Sequence, residues 1–170
     1  ETETALQEGI SLNPILQSFQ ETVLQYDIDR ALIKQFLHSM SMDLHQVDYN
    51  SALYNEYIYG SAEVVGLMCL QVFTEGNRKQ FDELKPYAMK LGSAFQKINF
   101  LRDLKEDYQT LGRSYFPNVD MELFDRDIKY QIEKEIEEEF AEALIGIKKL
   151  LNSSKFGVYL AYKYYLLLFS

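Results

Sequence analysis

The feature that most constrains this chain is how it is punctuated. Only three prolines and eight glycines occur in 170 residues, and they fall where helices would start and stop. Strand signals are nearly absent. Asn13-Pro14 reads as an N-cap with proline at the first helical position, and Ile15, Leu16, Phe19 and Val23 follow at helical spacing to about Tyr26. Asp29 caps a second helix carrying Leu32, Ile33, Phe36, Leu37, Met40 and Leu44. A third is expected from Ser51 to Phe73, ended by the Thr74–Asn77 segment, and a fourth from Pro86 to Leu111, stopped by Gly112. Pro117 and Asn118 mark a loop. A charged amphipathic helix then runs from Ile128 to Leu151, and a last one starts near Phe156. Six helices with short connections predict an all-α fold, residues 1–170 forming a single helical domain.

Composition narrows the function. With 17 basic and 26 acidic residues the net charge is −9, so no basic stripe is available to neutralise phosphates and nucleic acid is excluded as a partner. A single cysteine, Cys69, allows no internal disulfide and fits a reducing, cytoplasmic setting. The most apolar run, Val158 to Phe169, is about 12 residues long and interrupted by Lys163, well short of the roughly 20 needed to span a bilayer. The chain has no initiator Met and stops at Ser170 inside an apolar pattern, so a longer parent polypeptide is expected.

Candidate chemistry sits on the fourth helix. At about 100° per residue, Gln96, Asn99, Asp103 and Asp107 fall near 0°, 300°, 340° and 20°, a stripe about 80° wide. Leu91, Ile98 and Leu101 share that half of the helix, so the stripe is expected to face inward, with Arg102 and Lys105 pointing away. Inward carboxylates require compensation. A hard divalent cation supplies it, since Mg²⁺ takes oxygen ligands and bridges carboxylates to substrate phosphates. Two acids at i and i+4 are equally the mark of a solvated helix face, and the amides upstream shift the balance towards a site without naming a substrate.

Other features leave both a structural and a functional reading open. Tyr57, Ser61, Val64, Val65 and Met68 share a face of the third helix, on which Gly60 and Gly66 permit close approach. With 13 Tyr, 11 Phe and no Trp, this face reads either as core or as the wall of a pocket for a cationic or polyunsaturated apolar ligand. His38 and His45, seven apart, lack the i, i+4 spacing of a zinc helix. Asp43 reads as a pocket residue, a cap or an ion-pair partner. The Glu133–Glu142 run reads as a solvated face paired with Lys134, Lys148 and Lys149, and Cys69 as a buried small hydrophobe.

Three segments carry a resemblance. Tyr57-Ile-Tyr-Gly-Ser-Ala-Glu-Val-Val-Gly-Leu-Met68, Gly92-Ser-Ala-Phe-Gln-Lys-Ile-Asn-Phe-Leu-Arg-Asp-Leu-Lys-Glu-Asp107 and Gly112-Arg-Ser-Tyr-Phe-Pro117 resemble successive signatures of the squalene and phytoene synthase family, and Met40–Leu44 resembles the segment preceding the first of them. The resemblance implies an isoprenoid synthase fold and a Mg²⁺-dependent (Mn²⁺ as substitute) head-to-head prenyltransferase acting on prenyl diphosphates. Two aspartate-rich motifs on facing helices would hold the metal, and the reaction would pass through a cyclopropyl diphosphate. By similarity Asp103 and Asp107 are catalytic and metal ligands, joined at the metal by Asn99. Gln96 and Asn99 support diphosphate, Arg113 meets a phosphate, Tyr115 and Tyr165 line the pocket, and Tyr57 handles a proton.

The chain departs from the family pattern in three places. It does not contain the first aspartate-rich motif, it lacks the basic residues expected beyond Tyr165, and Glu63 stands where the family commonly has Gly. Glu63 is therefore expected to be a helix-surface charge or a substrate contact. With half of the metal site missing, the 170 residues alone are expected not to turn over. The resemblance points to two geranylgeranyl diphosphates condensed to phytoene. A squalene- or dehydrosqualene-type enzyme using farnesyl diphosphate, with NADPH needed only for squalene, is the close alternative. A family member serving as a non-catalytic helical assembly factor is a second, and a helical interaction module a third. An apolar product implies release at a membrane, hence peripheral membrane association.

Overall fold

The computed structural model describes residues 1–44, 50–106, 116 and 126–169. Eight α-helices occur among them: α1 (Thr2–Glu8), α2 (Pro14–Gln25), α3 (Arg30–Met42), α4 (Ser51–Ile58), α5 (Val64–Phe73), α6 (Arg78–Glu106), α7 (Arg126–Lys149) and α8 (Asn152–Phe169). There is no strand among the described residues. The all-α expectation holds.

The caps explain the boundaries. Asn13 Oδ1 accepts from the backbone N–H of Ile15 at 3.0 Å, with Pro14 at the first position of α2, and Asp29 accepts from Ala31 at 2.8 Å to start α3. Asn50 does the same for α4 through Ala52 and Leu53. The fourth helix expected from Pro86 begins instead at Arg78, because the Asn77 side chain accepts from Gln80 N–H at 3.1 Å. Pro86 is thus inside α6. The turn before it uses left-handed backbone at Glu75 (φ 52°) and Gly76 (φ 78°), the latter free of Cβ strain. Two further boundaries differ from expectation: α1 lies before the first expected helix, and α8 starts at Asn152 rather than near Phe156.

The third expected helix is interrupted. Between α4 and α5, Tyr59–Glu63 forms a π turn, a one-residue widening common at functional sites. Close contacts on either side frame it. Gly60 lies against Ser39 and the Gln35 carbonyl of α3, and a Cβ at Gly92 of α6 would sit 2.7 Å from the Ala62 carbonyl oxygen. About one helical turn further on, a Cβ at Gly66 would meet Ala88 O at 2.9 Å. These pairings set α5 and the π turn antiparallel to α6, which is the central element: α4, the π turn and α5 pack on one side, α7 and α8 on another.

Apolar burial follows that arrangement. Ala94 and Ile98 of α6 pack with Ile136, Phe140 and Ile147 of α7 and Tyr162 of α8. Leu67 and Leu70 of α5 meet Phe81 and Leu84 of α6, contacts that recruit the turn preceding Pro86 into the helix. No helix among the described residues is long and apolar enough to cross a membrane.

Candidate active site

A cavity of about 620 Å³ runs between α5, α6, α7 and α8, within the size range of small-molecule sites. Its two ends differ in chemistry. Ser61 of the π turn, Gln96 and Asn99 of α6 and Tyr165 of α8 line one end; Cys69, Leu70, Phe73 and Leu84 line the other. From Leu84 to Asn99 the axis of α6 rises about 22 Å. The result is a largely apolar cavity with the amides of Gln96 and Asn99 at one end, and with Ser153 and Ser154 also in its lining.

Two atoms at that polar end want partners. Ser61 Oγ and Asn99 Oδ1 are buried and accept or donate no hydrogen bond within the protein. Buried polar atoms are ordinarily satisfied, and an orphan costs about 1–3 kcal/mol, so a ligand group or water is required there. A carbonyl oxygen of this kind suits a hard cation or a donor on a bound ligand. Beside it, Tyr165 stacks on Phe95 with ring centroids 3.8 Å apart and planes 15° from parallel, forming an aromatic wall.

Asp103 is placed differently from expectation. Its side chain is 42% exposed, it does not line the cavity, and Arg102 clamps it, Nε to Oδ1 and Nη2 to Oδ2 both at 2.7 Å. The expected inward orientation of Asp103 is therefore corrected; Arg102 is exposed as expected, and its long side chain folds along the surface onto Asp103 near the end of α6. Hydrogen bonding to that guanidinium holds the Asp103 carboxyl below its ordinary pKa, against a smaller opposing effect of desolvation. A bound dication at Asp103 has to displace, or share the carboxylate with, Arg102. Among the described residues no group of three or more His, Cys, Asp or Glu is placed to hold a metal.

Tyr57 is buried away from the cavity lining. Its hydroxyl donates to Asp43 Oδ2 at 3.0 Å, and its ring lies 5.9 Å from that of Phe100. Asp43, which the sequence left between pocket, cap and ion pair, thus orients the Tyr57 hydroxyl. Asp107, Arg113, Tyr115 and His45 lie outside the described residues. His38 pairs with Glu56 at 3.1 Å on the surface.

Sequence reasoning missed a buried ionic cluster beside the π turn. Lys97 Nζ bonds Glu135 at 2.6 Å and Glu139 at 2.9 Å, and Ser93 Oγ donates to Glu139 at 3.0 Å. Lys90 reaches the same carboxylate at 3.4 Å. The Glu133–Glu142 run is therefore not uniformly solvated: Glu139 turns inward, while Lys149 pairs with Glu83 instead. Glu63 joins this cluster rather than projecting as a surface charge. Burial, reinforced by Glu139, raises its pKa, and Lys97 and Lys90 only partly oppose that. The signal for this cluster was the apolar neighbours of Glu139, since Ile136, Phe140 and Ala143 share its face of α7. Cys69, expected as buried filler, is instead accessible and lines the cavity.

A helical bundle of this form, enclosing an apolar channel ended by amide and hydroxyl groups, has the isoprenoid synthase fold. The crystal structure of squalene synthase HpnC from Alicyclobacillus acidocaldarius superposes with a TM-score of 0.81, covering 98% of this chain and 67% of that one at 16% identity. The squalene/phytoene synthase family model matches residues 1–166, and the chain belongs to that family. It is 35% identical over 105 residues to the 15-cis-phytoene synthase of Enterobacter agglomerans, covering 61% of this chain and 34% of that protein. It is 30% identical over 160 residues to phytoene synthase 2 of Solanum lycopersicum, covering 83% and 51%. With the 4,4'-diapophytoene synthase of Staphylococcus haemolyticus it shares 27% identity over 123 residues, covering 71% and 41%. The chain thus spans about a third to a half of the length of these curated relatives.

Proposed function

We propose that the protein containing this chain is a head-to-head prenyltransferase that condenses two geranylgeranyl diphosphates to phytoene by way of a cyclopropyl diphosphate. The observation that carries this reading is the channel itself, a long apolar wall ended by the unsatisfied Ser61 and Asn99. An extended polyprenyl chain fills the apolar length, and its diphosphate meets the polar end. Mg²⁺, when bound, supplies the positive charge that holds the diphosphate and favours its departure. Asn99, Asp103 and Asp107 would hold it, and the orphaned carbonyl oxygen of Asn99 fits such a role. Gln96 orients diphosphate oxygens, and Arg113 adds a cation to them. Phe95 and Tyr165 face the chain with aromatic surface that tolerates positive charge, and Tyr115 would add to it by similarity to the family. Asp43 holds the Tyr57 hydroxyl in one orientation for proton handling.

A second reading has specific support: farnesyl diphosphate as substrate, giving squalene or dehydrosqualene. The likenesses to a diapophytoene synthase and to squalene synthase HpnC favour it. The two are separated by supplying the parent protein and its Asp103→Asn variant with either diphosphate and Mg²⁺, with and without NADPH, and identifying hexane-soluble products by mass spectrometry. Phytoene formed without NADPH and lost in Asp103→Asn supports the first reading. Squalene formed only with NADPH supports the second. No product from a folded protein moves the assignment to a non-catalytic helical factor.

A further inference from the structure

Ser61 and Glu63 stand two residues apart in the π turn, which is closed by the Val64 N–H donating to the Tyr59 carbonyl. Side chains at that spacing leave a helical turn on nearly opposite sides. Ser61 lines the cavity, its Oγ buried there without a hydrogen bond. Glu63 is not part of that lining and belongs to the buried ionic cluster, where the ammoniums of Lys97 and Lys90 attract its carboxylate and Glu139 repels it. Between the two, the Ala62 carbonyl and Glu63 Cα rest against Gly92 of α6, where a Cβ would come to 2.7 and 3.1 Å from them. That backbone contact is a fulcrum: rotating the π turn about it moves the Ser61 and Glu63 side chains in opposite senses.

What grips the turn sets its rotation. At its two close approaches it presents bare backbone, Gly60 to α3 and the Ala62 carbonyl to Gly92. The cations facing Glu63 belong to a firmer frame, since Lys97 is buried and bonded to Glu135 and Glu139 of α7 at 2.6 and 2.9 Å. We propose that Glu63 is a positioning residue: its carboxylate, drawn to Lys97 and Lys90, fixes the rotation of the π turn and so aims the Ser61 hydroxyl at the substrate diphosphate. The inference rests on the prenyl diphosphate reading above. It gives a role to the position at which this chain carries Glu where the family commonly has Gly, because a glycine has no side chain with which to make the attachment.

The test is a double-mutant cycle on the parent protein, with Mg²⁺-dependent binding of geranylgeranyl or farnesyl thiolodiphosphate, whichever binds more tightly, measured by equilibrium dialysis. Ser61→Ala is expected to weaken binding about fivefold, the loss of one neutral hydrogen bond. Glu63→Gln keeps the shape of the side chain and removes its charge, and is expected to weaken binding about fourfold, because the hydroxyl is no longer aimed. With Ser61 already replaced by Ala, Glu63→Gln is expected to cost less than about 1.5-fold more, since nothing remains for it to position. Glu63→Asp keeps the charge and is expected to bind within about 1.5-fold of the unmodified protein. Glu63 is only half-buried, so these variants are expected to keep the fold, which their melting temperatures verify.

A Glu63→Gln variant that binds as tightly as the unmodified protein overturns the positioning role and leaves the prenyl diphosphate reading standing. So does a loss as large in the Ser61→Ala background as outside it, because Glu63 then acts by another route. Glu63→Asp binding as weakly as Glu63→Gln overturns it as well, since the charge is then not what holds the turn. Failure of both thiolodiphosphates to bind the unmodified protein overturns the reading itself and the positioning role with it.

Discussion

Lys97 Nζ of α6 lies 2.9 Å from Glu139 Oε1 of α7, and both side chains are almost wholly buried, 4% and 6% exposed. The pair ties together α6 and α7, the two helices most extensively packed on each other among the described residues. A buried ion pair contributes little net stability compared with apolar residues of the same shape, but removing one partner strands the other. Lys97→Met is therefore expected to destabilise the chain by about 3 kcal/mol in a urea titration, because the buried Glu139 carboxyl loses its nearest cation. Lys97→Met with Glu139→Leu is expected to recover most of that loss. A double variant as unstable as the single one would show that packing, and not the stranded carboxylate, sets the cost.

The contact of Gly92 with the π turn gives a second expectation. A methyl group at Gly92 would stand 2.7 Å from the Ala62 carbonyl oxygen and 3.1 Å from Glu63 Cα, and backbone atoms cannot swing aside as a side-chain tip does. Gly92→Ala should cost about 1–3 kcal/mol of stability, the usual penalty of overpacking. The same displacement moves Ser61, so ligand binding should weaken beyond what the lost stability explains. Differential scanning calorimetry and equilibrium dialysis on the same preparation measure the two effects separately. Unchanged values of both would mean that the π turn is free to shift.

These two sites also show how far the sequence could be read. Capping side chains such as Asn13 and Asp29 act within three residues of their own position, so the starts of α2 and α3 were legible. Pro86 misled because proline is a common helix start, whereas Asn77 supplied the cap and the packing of Phe81 and Leu84 extended the helix across it. The π turn adds a residue without altering composition, and nothing in Tyr59–Glu63 marks it apart from Gly60. At the site, helical spacing placed Gln96 and Asn99 on one face, and both line the cavity. It failed for Asp103, since a wheel gives Cα directions only and Arg102 reaches back along the helix surface. It failed for Glu139 and Cys69 because burial and cavity exposure depend on elements far away in the chain.

The Arg102–Asp103 pair sets a pH dependence. Its hydrogen bonds depress the carboxyl pKa in the folded chain, so the pair stabilises the fold above the ordinary carboxylate value and loses that contribution as pH falls through the depressed one. Both groups are about half exposed, so the effect on stability is small. The titration itself is the better readout. In a carboxyl-detected NMR titration Asp103 is expected to titrate below 3.8, its ordinary value, and Arg102→Gln should return it upward. On the proposed reading the same variant frees the carboxylate for Mg²⁺, so metal affinity in the presence of a diphosphate should rise. A fall in affinity would assign Arg102 to the diphosphate instead.

Asn99 separates a ligand group from a structural one. Its Oδ1 is buried with no protein hydrogen bond, and an orphaned amide oxygen costs stability that an apolar side chain of similar shape does not. If the residue serves only the fold, Asn99→Leu should disturb it through lost polar contacts. If it serves a ligand, the substitution should leave stability unchanged or raise it by up to about 1 kcal/mol, while Mg²⁺-dependent binding of a prenyl thiolodiphosphate falls by about tenfold or more, the loss expected when one charge-assisted contact is removed. The same logic applies to Ser61→Ala with a smaller binding loss, because a neutral hydroxyl makes the weaker contact. The expected pattern is therefore opposite in sign for the two measurements: a melting temperature that holds or climbs, and an affinity that drops. A variant that melts lower and binds as before would place Asn99 among the structural residues and leave the polar end of the channel without its principal acceptor.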